Sequence, residues 1–283
     1  MIAVALSGVA HAQTLYQSGT ELERRAFAST TTYVQLLGDP DYDKRLRDAL
    51  SANWTLTRGI EFIDPGEPLG DAGDERRSYI SIWRLHDYGS RSFLVLWQGG
   101  KVWGKENGST GGYTNTEYWN SWVVAVPIDC IGRETKDEFV AWRLPLAVRS
   151  IVQLAEHAKR EDPDVARLGL PAGKVKDLRP SILSGKSLLL WKGRFTDDQI
   201  SLIREHYPHK TEVVEMDVIL EAIDQQDPHY AVLVLAQAGG HTTLSAHDTA
   251  TGNLLFSEHR HQPMKDYELP IQLVKGLGKA VGK

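Results

Sequence analysis

The chain has 283 residues, of which 41% are hydrophobic and 24% charged, and its formal net charge is −5. That length and apolar content allow two domains with a core each, while the acidic balance supplies no basic field and excludes nucleic acid as a general partner. The only cysteine, Cys130, excludes an intramolecular disulfide and, at the end of an apolar run, reads as a packing residue.

Residues 1–12 are small and apolar and end in Ala10-His11-Ala12, the pattern that precedes a signal-peptidase cut, here ahead of Gln13. The stretch is too short to span a bilayer, so it reads as a signal-peptide remnant of a periplasmic or secreted protein with no transmembrane segment. Residues 13–32 form a polar N-terminal arm. A strand follows over 33–37 and is stopped by Gly38-Asp39-Pro40. Tyr42, Leu46, Leu50 and Trp54 then recur at intervals of four, one face of an amphipathic helix. Residues 60–64 alternate as a strand and end at Pro65-Gly66; 79–85 and 92–97, joined by a short connection around Asp87-Tyr88-Gly89, read as an antiparallel hairpin. A glycine-rich loop over 99–117 leads to a strand at 119–130, and a helix over 142–158 closes the first domain, 33–158.

Residues 159–185, with Pro163, Pro171, Gly173 and Pro180, are the predicted linker, and 186–283 the second domain. Its first strand is 187–191. Thr196 and Gln199 make a capping box before a helix that Pro208 ends. A strand over 210–214, a helix over 216–223 and a three-strand meander over 230–237, 242–248 and 253–259 follow, the last pair turned by Ala250-Thr251-Gly252. A helix over 270–280 closes the chain.

Both domains thus run through one order of elements. Their closing helices are announced alike, by Lys136-Asp137-Glu138-Phe139 with Leu144-Pro145-Leu146 and by Lys265-Asp266-Tyr267-Glu268 with Leu269-Pro270-Ile271. The expectation is a mixed α/β fold made of two tandem copies of a small sheet-plus-helix module, arisen by duplication, whose like surfaces can pair about a pseudo-twofold. In each copy a strand, a helix such as Asp43-Lys44-Arg45-Leu46-Arg47-Asp48-Ala49-Leu50 and a return strand such as Ile60-Glu61-Phe62-Ile63-Asp64-Pro65 resemble the amino-terminal domain of the periplasmic TolB family. The resemblance implies a module that makes protein contacts in the cell envelope. The propeller repeats of that family have no counterpart here, so its specific partners are not carried over.

Seven of the ten histidines follow residue 200. On a strand His259 and His261 share a face, and His247 on the neighbouring strand would give zinc a third ligand. Against this, no paired-histidine helix motif is present, and His259 and His261 beside Glu258 and Arg260 read equally as the solvent face of an edge strand. No Gly-x-Ser-x-Gly elbow surrounds Ser245, no glycine-rich phosphate loop opens a helix, and the Asp197-Asp198 pair suits a helix N-terminus, so no catalytic residue and no cofactor is predicted. The aromatic residues around the glycine-rich loop make the other candidate surface. There Trp103, Tyr113, Asn115 and Tyr118 would set rings and amides against a sugar or a peptide, unless the neighbouring Trp97, Trp119 and Trp122 are core residues of strands. The resulting reading is a non-enzymatic binding or assembly protein of the envelope whose partner is another envelope protein or a small ligand. The alternatives are a metal-dependent hydrolase built on His247, His259 and His261 and a carbohydrate-binding protein built on the tryptophan-rich loop.

Overall fold

The backbone turns sharply at Gly38, whose φ of +84° lies in the left-handed region that glycine enters without steric penalty. A computed structural model of the chain describes residues 29–68, 74, 76–85, 91–99, 122–129, 142–160, 180–238, 241–261 and 269–282. After the turn, helix α1 (Pro40–Asn53) starts with Asp39 as N-cap, its carboxylate accepting from the Tyr42 amide at 2.8 Å. Proline at the first helical position needs no amide partner. Tyr42, Leu46, Ala49 and Leu50 form the buried face that the spacing of apolar residues predicts.

Helix α1 is the crossover between two parallel strands, β1 (Thr31–Gln35) and β2 (Gly59–Ile63). Strands β3 (Arg77–Leu85), β4 (Arg91–Gln98) and β5 (Trp122–Asp129) complete a sheet of order β2-β1-β3-β4-β5, with β3 parallel to β1 and the β3-β4 and β4-β5 pairs antiparallel. Helix α2 (Leu144–Arg160) follows. The second sheet takes strands β6 (Ser187–Trp191), β7 (Thr211–Val214), β8 (Tyr230–Ala238), β9 (His241–Asp248) and β10 (Leu254–His261), with α3 (Asp197–His206), α4 (Met216–Asp224) and α5 (Ile271–Ala280). Its order is β10-β9-β8-β6-β7, with β6 parallel to β7 and β8 and the rest antiparallel. The two sheets therefore share strand order and pairing sense, strand for strand, and the fold is mixed α/β with hairpins, as the element pattern predicts.

Boundaries differ from expectation in a few places. Helix α2 starts at Leu144 and continues to Arg160, into the predicted linker, and β10 runs on to His261. The end of the predicted linker is a 3-10 turn, Pro180–Leu183, with Leu183 fully buried in the second core. The Tyr207 hydroxyl donates to the carbonyls of Leu183 and Lys186, at 2.8 and 2.9 Å, and burial raises its pKa.

Among the described residues, two cores and one seam stand out. In the first, Val34, Ile80, Leu94 and Leu96 of the sheet pack against α1 and against Leu144, Ala147, Val148, Ile151 and Ala155 of α2. In the second, Leu188, Leu190, Leu233, Leu244 and Ala246 pack against Ile200 and Ile203 of α3 and Leu273, Val274 and Leu277 of α5. The opposite face of the second sheet, through Leu189, Val232 and Val234, packs on Ile219, Ala222 and Ile223 of α4 and on Trp142 and Leu146 from the first half. Among the described residues the halves thus meet helix against sheet, which is a head-to-tail contact and not the self-matched contact of a pseudo-twofold. On the other face of the first sheet Tyr79 and Trp97 stack at 4.2 Å, and the Trp97 indole N–H donates to Ser81 Oγ at 3.0 Å. Both rings are 0% exposed, so Trp97 is a core residue.

Candidate functional site

Helix α2 has two working faces because its apolar residues fall in two stripes. Leu144, Ala147, Val148, Ile151 and Ala155 recur at three and four residues and enter the first core. Leu146 lies on the other side with Ser150 and Gln153, and the neighbouring Arg143 and Arg149 flank them. That second face meets the only sequence-predicted site residue whose side chain the structure describes, His247.

The His247 imidazole is 6% exposed and lies between two hydroxyls: Ser150 Oγ is 3.4 Å from Nδ1 and Ser245 Oγ 3.2 Å from Nε2. Burial first, and then the nearby Arg143 charge, pull its pKa down to about 4, while its contact with the Gly252 backbone acts the other way. The ring is therefore neutral at pH 7, where each nitrogen is engaged by a serine. Beside it, the Gln153 side-chain carbonyl accepts from the Leu254 amide at 2.9 Å. Arg143 reaches across the seam, donating to the Ile128 carbonyl of β5 at 3.3 Å and to the Leu235 carbonyl of β8 at 3.4 Å; the latter also accepts from Arg194 Nε at 3.0 Å.

The turn between β9 and β10 completes the cluster. Lys186 Nζ and Asp248 Oδ1 form a buried ion pair at 3.0 Å, and Lys186 also donates to the Pro228 carbonyl. The same Asp248 accepts from the Ala250 amide and the Thr251 hydroxyl, each at 3.1 Å, so its carboxylate is spent on shaping the turn. Gly252 closes it at φ +69°, and the stem of Arg149 lies directly on its Cα: a Cβ there would stand 2.1 Å from Arg149 Cδ. Burial lowers the Arg149 pKa, opposed by the charges of Asp224 and Asp248. Chemically, the cluster is a sealed polar joint in which hydrogen bonds and charges are exchanged between halves.

The register separates the three candidate metal ligands. His247 is opposite Leu254, His259 opposite Thr243 and His261 opposite His241. Residues 243 and 247 are four apart on β9, about 13 Å of strand, against zinc-ligand bonds of about 2.0 to 2.2 Å. Among the described residues no group of three or more His, Cys, Asp or Glu side chains is placed to hold a metal ion. Trp103, Tyr113, Asn115 and Tyr118 lie outside the described residues, as do Trp119 and Cys130. Asp197 and Asp198 fill the first turn of α3, with the Thr196 and Gln199 capping box formed on both sides.

Sequence reasoning did not single out Arg143, Arg149, Ser150 or Gln153. The signal that carries them is the second stripe of α2, where Leu146, Ser150 and Gln153 recur at four and three residues away from the core-facing stripe. Comparison of the chain with protein families, with curated proteins and with solved structures finds no match.

Proposed function

We propose that the protein is an exported binding or assembly protein of the cell envelope, acting without catalysis on another envelope protein or a small ligand. The observation that carries this reading is the use to which the polar residues are put. Of the groups in which a catalytic constellation would be sought, His247 with Ser150, Arg143 and Gln153 are spent on joining two modules of one strand order, while Ser245 holds the His247 ring and Asp248 shapes its own turn. The shared strand order supports an origin by duplication, and the signal-like start and the TolB-like element order support export. No helix of the described residues is long and apolar enough to cross a membrane.

Two measurements test it. The full chain is expressed with a carboxy-terminal tag and fractionated; a periplasmic form beginning at Gln13 is expected, and a cytoplasmic form retaining Met1 would contradict export. Elemental analysis of protein purified without added metal is expected to find none. Zinc near one equivalent that is lost in both His259→Ala and His261→Ala would replace the reading by the hydrolase alternative, and a sugar-dependent change in tryptophan fluorescence by the carbohydrate-binding one.

A further inference from the structure

We propose that the seam between the two halves is an acid-sensitive latch, in which protonation of His247 releases the outer face of α2 from the second sheet while both cores stay folded. The inference goes beyond the binding reading and does not depend on export or on any partner.

The geometry concentrates the effect on the seam. His247 is held between Ser150 of α2, which is 0% exposed, and Ser245 of β9, so an imidazolium formed there would be largely cut off from water. The charged groups packed around it come from each adjoining element. Arg143, just before α2, lies beside the ring; Arg149 of α2 faces Asp224 of α4 and Asp248 of β9, and Lys186, just before β6, pairs with that Asp248. Neither carboxylate is available to answer a new charge. Asp248 is already paired with Lys186 and bonded within its turn, and both Asp248 and Asp224 already face Arg149. A proton on His247 therefore adds a cation beside Arg143 in a dry site.

Neither core contains the residue. The first core uses the opposite stripe of α2, and the second uses Leu244 and Ala246, the alternate positions of β9. The unfavourable energy is thus relieved by parting α2 from β9, which needs the separation of Ser150 from His247, of Gln153 from Leu254 and of Leu146 with Trp142 from Leu189, Val232 and Val234.

The Leu254 amide reports the latch, because its acceptor is the Gln153 side chain across the seam. Amide exchange of the full chain is followed by NMR from pH 7.5 to 4.5 and corrected for intrinsic rates. The expected result is that Leu254 loses protection at least tenfold more than Leu46 and Leu190, in the two cores, and that His247→Gln removes the difference. The proposal is overturned if Leu254 follows the core amides throughout, or if the variant behaves as the wild type. Should His247→Gln not fold, the wild-type imidazole resonance decides. Titration of His247 in step with Leu254 release supports the latch, and titration with Leu254 still protected overturns it.

Discussion

At the scale of single residues, two backbone positions make opposite predictions. Gly252 satisfies both a positive φ and the close approach of Arg149, so Gly252→Ala forces strain and displaces that side chain. A loss of roughly 1 to 3 kcal/mol in urea unfolding is expected, and a smaller one in an Arg149→Ala background. Gln226 sits at φ +53° just past the end of α4, where its amide bonds to the Ile223 carbonyl and that of Asp227 to the Ala222 carbonyl, at 3.2 and 3.0 Å. This is the Schellman arrangement, whose left-handed position favours glycine, and Gln226→Gly should raise stability by up to about 1 kcal/mol. His247 makes a pH-dependent prediction. Its proton is bound near pH 6.5 in the unfolded chain and near 4 in the folded one, so the unfolded state takes up protons first. The stability it contributes is complete above pH 6.5 and is lost as the pH falls through that value toward 4, by roughly 3 kcal/mol at the limit. The difference between wild type and His247→Gln in urea unfolding at a series of pH values isolates this loss from the carboxylates that titrate in the same window.

At the scale of elements, what is local was legible and what is non-local was not. The α3 capping box is written in Thr196 and Gln199, and both of its hydrogen bonds form, at 3.3 and 3.1 Å. Thr196→Ala should lower stability by about 1 kcal/mol, read as a shift of the thermal midpoint. The hairpin of β3 and β4 follows from alternation and a short connection, and Tyr42, Leu46 and Leu50 from a helical period. The placement of β1 and β6 between two parallel neighbours could not be read in the same way, because each pairing spans a crossover and alternation says which face is buried but not which strand lies alongside. Helix α2 shows the same limit more sharply. Its first stripe identifies a core helix, but Ser150, Gln153 and Arg149 look like ordinary solvent-side residues until the second sheet is brought against them.

At the scale of the whole molecule, the halves share one plan but meet through unlike surfaces. The outer face of α2 is buried by the second sheet, whereas the exposed residues of the aligned helix α5, Ile271, Gln272, Lys275 and Lys279, face solvent. Leu146→Asp tests the seam without touching either core: it places a charge among Leu189, Val232 and Val234, and a larger radius of gyration by small-angle scattering at pH 7.5 is expected. The most direct measurement is scanning calorimetry of the full chain at pH 7.5. If the two modules are one body joined through α2, a single transition is predicted, with equal calorimetric and van't Hoff enthalpies. Two separable transitions at that pH, unchanged in position by Leu146→Asp, would show that the halves unfold independently and would contradict the account.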